Sequence, residues 1–190
     1  MKIVFATGNP HKVEELKAIA ESYGIKDIEF VLPPKGFNPL EDGTTFEENS
    51  YLKAKEANRL TGMMSLADDS GLCVEVLNDG PGIYSARYAD TPQARIDKLL
   101  DAIKNETNRN AKFVCAMTLL DAKGNIIFQT RGECQGQIAK TQAGKNGFGY
   151  DPVFLVGDTN ITMAEMSEED KNKISHRGNA LRKVLNFLNF

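Results

Sequence analysis

Lys2-Ile3-Val4-Phe5-Ala6-Thr7-Gly8-Asn9-Pro10-His11-Lys12 opens with a short apolar, β-branched run, then a break, then a helix start. Lys2 to Thr7 reads as a buried first strand. Gly8-Asn9-Pro10 interrupts it, and a helix is expected from His11 to Tyr23. Val13, Leu16, Ile19 and Ala20 form its apolar stripe and Gly24 its stop. A strand, a short glycine turn and a helix make a place for an anion, because the first helical turn leaves backbone N–H groups unpaired. Thr7 and Asn9 add side-chain donors and Lys12 adds a charge. A simple βα turn with a surface lysine fits the same letters. The pattern GxxxxGK[ST] is absent, so this is not a P-loop.

Further along, Met63-Met64-Ser65-Leu66-Ala67 leads into Asp68-Asp69-Ser70-Gly71. Adjacent carboxylates on a turn at the end of a buried strand are placed to hold a divalent cation or orient a water. Asp, Ser and Gly are equally the residues of an ordinary turn. Between these two stretches, residues 32–43 carry prolines, Gly36 and Gly43 and end in Glu41-Asp42-Gly43, which reads as a loop. Thr44 or Thr45 then caps a helix reaching about Thr61, with Glu47 or Glu48 completing a capping box. Phe46, Asn49, Lys53, Ala57 and Leu60 share one face of that helix. Lys53 on an inward stripe either snorkels to solvent or lines a cleft and meets a phosphate.

After the acidic stretch a strand is expected at Leu72 to Leu77, a turn at Asn78 to Gly82 and a helix from Pro92 to Asn105 capped by Thr91. Lys112 to Leu120 and Asn125 to Thr130 read as a hairpin, which Arg131 to Ile138 extends. Gly144 to Pro152 is a glycine-dense loop whose Phe148 or Tyr150 is able to stack on a nucleobase or to point into the core. His176 and Arg177 offer donors at the start of a closing helix built on Leu181, Val184, Leu185 and Leu188.

The chain has 190 residues, 41% hydrophobic and 26% charged, the mix of a soluble globular protein of one domain over 1–190 with no dividing linker. A net charge of −3 argues against a generic nucleic-acid binder. Cys73, Cys115 and Cys134 are scattered and form no zinc or disulfide pattern; buried, reduced thiols are expected. No run approaches the ~20 apolar residues of a membrane span, and the N-terminal run is too short for a signal peptide, so a cytoplasmic location is the default expectation.

Taken together, the stretches Thr7-Gly8-Asn9-Pro10-His11-Lys12, Leu66-Ala67-Asp68-Asp69-Ser70-Gly71-Leu72, Pro81 to Tyr88, Phe148-Gly149-Tyr150-Asp151-Pro152 and Ile174-Ser175-His176-Arg177-Gly178 stand in the order of a known family. The sequence resembles the inosine triphosphate pyrophosphatases, which hydrolyse deaminated purine nucleotides such as ITP, dITP and XTP to the monophosphate and pyrophosphate. The resemblance implies an α/β fold: a long, twisted mixed β-sheet with flanking helices forming two lobes around a central cleft, as a homodimer. It implies Mg²⁺ as cofactor, with Asp69, Glu41 and Asp68 as its ligands, and Asp69 also as proton acceptor. Thr7, Asn9 and Lys12 would hold the triphosphate and Lys53 would help with phosphate. Phe148 would stack on the base, with Asp151, Lys171, His176 and Arg177 around the purine edge, and Gly8, Pro10, His11, Ser70, Gly149 and Tyr150 would also bind substrate. Gly144-Lys145-Asn146-Gly147 departs from the family's frequent Gly-Thr-Gly-Gly, and Lys173 stands close enough to Lys171 to compete for its role. Alternatives on the same letters are a pyrophosphatase for other modified nucleotides and a nucleotide-binding sensor without turnover.

Overall fold

In the computed structural model residues 1–190 are described, the side chain of His11 excepted, so the substrate contact expected of His11 lies outside the described residues. Strand β1 (Lys2–Phe5) leads to α1 (Pro10–Ser22), β2 (Glu29–Val31), α2 (Phe46–Thr61) and β3 (Ser65–Val74). There follow β4 (Gly80–Pro81), α3 (Pro92–Ala102), β5 (Asn110–Leu120), β6 (Ile126–Ile138), β7 (Phe154–Val156), α4 (Glu168–Ile174) and α5 (His176–Phe187). The strands make one mixed sheet of seven in the order β2-β1-β3-β5-β6-β7, with β4 paired to β3. β1 runs parallel to β2 and β3, whereas β3–β4 and β6–β7 are antiparallel. Parallel neighbours need crossovers, and α1 and α2 supply them.

The chain divides into two compact units, neither contiguous in sequence. The first comprises Met1–Asp69, Cys115–Gly132 and Arg177–Phe190; the second comprises Ser70–Val114 and Glu133–His176. In the first unit β1 is buried on both faces, as a parallel strand between helices should be. Ile3 and Phe5 pack with Leu16 and Ile19 of α1 and Leu181 and Val184 of α5, while Val4 and Ala6 pack with Ala54 and Ala57 of α2. Strand alternation thus places α1 and α5 on one face and α2 on the other. The second unit has its own core, in which Leu72 and Val74 meet Ile96, Leu99, Phe113, Val153 and Phe154.

Two local expectations change. The turn expected at Asp68 to Gly71 is not there: β3 continues unbroken from Ser65 to Val74. Backbone pairing with neighbouring strands outweighs the turn preference of those four residues. Arg131 to Ile138 joins the preceding strand as a single β6. The caps stand where expected, Thr45 accepting from the Glu48 N–H of α2 and Thr91 from the Ala94 N–H of α3. Among the described residues no helix is long and apolar enough to cross a membrane, and all three cysteines are free and buried.

Candidate active site

Because β3 alternates, its two aspartates part company. Asp68 lies on the same face as Leu66, toward α1 and α5, and Asp69 on the same face as Ala67, toward α2. Each is met by the cations of the helix it faces.

Asp68 is 1% exposed. Lys12 Nζ, from the first turn of α1, donates to its Oδ1 at 3.0 Å and Oδ2 at 3.2 Å. Arg177, from the first turn of α5, donates to Oδ2 through Nε at 3.2 Å and Nη2 at 3.1 Å, while its Nη1 reaches Glu15 Oε2 at 2.7 Å. Burial alone would push the Asp68 carboxyl up, but Lys12, Arg177 and Lys53 together hold it well below the usual carboxylate range. Burial likewise disfavours the Arg177 charge, and Asp68 and Glu15 more than restore it. Asp68 is therefore ionised, with both oxygens engaged.

Asp69 has a different environment. Lys53 Nζ donates to its Oδ1 at 2.9 Å and also lies 3.3 Å from Glu41 Oε2. The Asn49 amide donates to Oδ2 at 3.4 Å. Burial pushes the Asp69 carboxyl up; Lys53 opposes this, and the nearby charges of Asp68 and Glu41 add to it. Burial works against the charge of Lys53, yet its pKa is raised by Asp68, Asp69 and Glu41 together. The two shifts agree: one ammonium sees three carboxylates, while Asp69 sees one close cation and two like charges.

Beside these groups the first unit holds a cavity of about 370 Å³, lined by Ala6 to Asn9, Lys12, Phe37, Pro39, Glu41, Lys53 and Asp68. Thr7 Oγ1 accepts the Asn9 N–H at 3.1 Å, which shapes the turn at the cavity wall, and Pro10 begins α1. The structure thus brings together Thr7, Gly8, Asn9, Lys12, Lys53, Glu41, Asp68 and Asp69.

The second unit assembles the aromatic set. Asp151 is 4% exposed and its Oδ2 accepts from Lys171 Nζ at 2.7 Å and from the Phe148 N–H at 3.0 Å. Lys171 Nζ stands 4.7 Å from the centre of the Phe148 ring, a cation–π contact, and that ring is 54% exposed. Gly147 makes this turn possible: at φ +72° a Cβ there would lie 2.1 Å from Asp151 Oδ2. The side chain of Asn146, where the loop departs from the expected Gly-Thr-Gly-Gly, donates to the Met166 carbonyl at 2.9 Å. Lys173 is exposed and bonds Glu169, so Lys171 alone of the two lysines serves the Phe148 loop. His176 is buried and stacks on Phe113, ring centres 4.8 Å apart. Ser70, on β3, is half-buried in an otherwise buried strand.

Three expected roles change. Tyr150 is a core residue: it is 6% exposed, its hydroxyl donates to the Ser85 carbonyl at 2.8 Å, and burial pushes its pKa up to about 12. Arg177, expected at the purine edge, is 2% exposed with its guanidinium committed to Asp68 and Glu15. Asp68, expected among the metal ligands, is instead bound on both oxygens by the cations Lys12 and Arg177. Glu15 and Asn49 were absent from the expected site. Nothing in the sequence marks Glu15, but Asn49 carried a signal, a short amide on the buried stripe of α2 beside Lys53.

The first unit thus offers carboxylates and lysines beside a cavity, and the second unit offers an exposed aromatic ring held by its own lysine; the protein is of the α/β class. Residues 3–187 match the model of the Ham1 family. The dITP/XTP pyrophosphatase of Synechocystis sp. is 40% identical over 183 residues, covering 96% of this chain and 93% of that one. That of Aquifex aeolicus is 43% identical over 200 residues, covering 99% and 96%. The solved structure of the Staphylococcus aureus Ham1 protein superposes with a TM-score of 0.88 at 39% identity, over 100% of this chain and 98% of that one. The chain belongs to the Ham1 family.

Proposed function

We propose that the chain hydrolyses 6-oxo purine nucleoside triphosphates, ITP, dITP and XTP, to the monophosphate and pyrophosphate. The observation that carries this reading is Asp69, buried and paired with Lys53, which also bridges to Glu41, beside a cavity walled by the turn before α1. The relatives, dITP/XTP pyrophosphatases, support the same reading.

A triphosphate carries about four negative charges near neutral pH, whereas Lys12, Lys53 and Arg177 are already outnumbered by Asp68, Asp69, Glu41 and Glu15. A divalent cation restores the balance. Asp69 and Glu41 are hard oxygen donors held on one lysine, and Mg²⁺ is bound by one or two carboxylates with substrate phosphates and water, so this small set fits it. When bound, Mg²⁺ would neutralise phosphate charge and polarise a phosphoryl oxygen. Asp69 and Glu41 would hold the ion, and the Asp69 carboxylate is the base for the attacking water. The water oxygen bonds the α-phosphorus, its proton passes to the Asp69 carboxylate, and the bond to the β-phosphate oxygen breaks with its electron pair leaving on pyrophosphate. Asp68 acts by holding Lys12 at the cavity wall.

For the base, the exposed Phe148 ring is the stacking platform, Lys171 supplies polarity against it, and His176 keeps the purine-edge role that the resemblance implies. A site of donors accepts a 6-oxo group and rejects adenine, whose amino group leaves those donors unpaired. The homodimer implied by the resemblance, and the cytoplasmic setting expected by default, belong to the same reading.

Pyrophosphate release from ITP, XTP, GTP and ATP, with Mg²⁺ and with chelator, tests it. ITP and XTP should exceed ATP in kcat/KM by at least about a hundredfold, with turnover lost on chelation. Equal rates on ATP and ITP would remove the specificity claim, and turnover in chelator would remove the metal. Phe148→Ala should raise KM for ITP roughly 5- to 150-fold, the usual value of one base–aromatic stack, with kcat largely kept. An unchanged KM would end the stacking role.

A further inference from the structure

Asn49 stands one turn before Lys53 on α2 and is 1% exposed. Its Oδ1 accepts the backbone N–H of Gly43 at 2.9 Å and its Nδ2 donates to Asp69 Oδ2 at 3.4 Å. A backbone N–H can only donate, so the amide oxygen faces Gly43 and the NH₂ faces the carboxylate; chemistry dictates that orientation. Gly43 lies two residues beyond Glu41, in a stretch with no regular secondary structure of its own. The next residue is fastened to the same helix turn, because Thr44 donates through N–H and Oγ1 to Glu48 Oε2 at 2.6 and 2.9 Å. The two oxygens of Asp69 are therefore taken by residues one turn apart on α2, Oδ2 by Asn49 and Oδ1 by Lys53. The loop bearing Glu41 is tied through both of them.

We propose that Asn49 is a positioning residue that fixes Glu41 relative to Asp69, an inference that rests on reading these two carboxylates as the pair that would hold the metal ion. Lys53 also touches both acids, but its ammonium sits on a long stem with rotatable donors and follows whatever carboxylates are near. Asn49 has a short side chain, a buried setting and a backbone partner, so it sets a distance rather than following one. Gly43 is the matching half of the device. A Cβ there would lie 2.7 Å from Asn49 Oδ1 and 2.7 Å from Glu48 Cβ, so only glycine allows the backbone this close.

The test compares Asn49→Ala, Asn49→Asp, Gly43→Ala and the double Asn49→Ala/Gly43→Ala chain with the parent. Asn49→Asp keeps an acceptor for Gly43 but turns a like charge on Asp69. Each single variant should lower kcat for ITP about 10- to 100-fold, the usual effect of removing a partner that orients a ligand, with KM within about twofold. The double variant should be no worse than the poorer single, because both changes cut one link. Calorimetric titration with Mn²⁺ alone should show about tenfold weaker binding in each. Folded variants that keep the parent's kcat and Mn²⁺ affinity, or that raise KM at constant kcat, or whose effects multiply in the double, overturn the inference. If Asn49→Ala does not fold, Gly43→Ala at its half-buried loop position decides. A parent active on ITP with indifferent variants defeats the positioning role and leaves the function intact. A parent inactive on every nucleotide defeats the function, and the Mn²⁺ titration still judges the link; a parent that also fails to bind Mn²⁺ overturns both.

Discussion

Asp69→Asn should lower kcat for pyrophosphate release from ITP by about 10²- to 10⁴-fold, the range expected when a positioned base is removed. The substitution keeps the shape of the side chain and a partner for Asn49 and Lys53, so it isolates the charge. The fold should survive, because Lys53 retains Glu41 and the Asp68 network is untouched. In chelator the variant should even hold a pH-dependent advantage. Burial, with Asp68 and Glu41, raises the Asp69 carboxyl above its ordinary value of about 3.9, Lys53 opposing this only in part. The native state therefore binds the Asp69 proton more tightly than the unfolded chain does. The parent loses stability relative to Asp69→Asn as pH rises from the unfolded pKa through the raised folded one, and the two converge below both. Melting curves of the metal-free proteins from pH 4 to about 7.5 read this directly. A variant with near-parental kcat would show that Asp69 is neither base nor ligand. Parallel melting curves across that range would show that its carboxyl is not crowded.

How much of this site the sequence disclosed follows from how far each residue's partner lies along the chain. The βα turn at Thr7 to Lys12 was legible because strand, break and helix are local patterns. That two neighbouring aspartates must serve different partners was legible too, since side chains on extended backbone alternate. Their place in mid-strand was not: Asp68 to Gly71 has the composition of a turn, and only pairing with distant strands overrides it. Arg177 and His176 read as a pair, yet one turns to Asp68 and Glu15 and the other to Phe113. Spacing says nothing about partners more than a hundred residues away, and Glu15 bonds Arg177 across 162 positions. Tyr150 and Phe148 carry equivalent aromatic signals, and only the hydroxyl's bond to Ser85 tells the core residue from the exposed one. Asn49 could have been found, because a short amide on the buried face of a helix needs partners for both its donor and its acceptor.

Arg177→Met should be the most destabilising of the substitutions considered, by about 3–5 kcal/mol near neutral pH. The guanidinium is 2% exposed and its removal leaves Glu15 and Asp68 without their shared cation. Methionine fills part of the volume but donates nothing, and Asp68 keeps Lys12 while losing both guanidinium bonds. For a chain of this size the loss corresponds to a fall in Tm of roughly 6–20 °C. Its pH dependence identifies the cause. In the parent, burial is outweighed by Lys12, Arg177 and Lys53, so the folded Asp68 pKa lies below the unfolded value of about 3.9. That contribution is present above the unfolded value and is lost as pH falls through the folded one. In the variant one of those cations is gone and burial gains ground, so the Asp68 carboxyl moves up and protonates at higher pH. The gap between the two proteins should therefore be widest near neutrality and narrow as pH falls from the variant's Asp68 value toward the parent's depressed one. Adding Glu15→Gln to Arg177→Met removes one of the two orphaned charges and should recover part of the lost Tm. If Arg177 instead contacts the purine edge, Arg177→Met raises KM for ITP and leaves Tm unchanged. A Tm within about 2 °C of the parent at neutral pH would mean that the buried cation does not hold Asp68 in place.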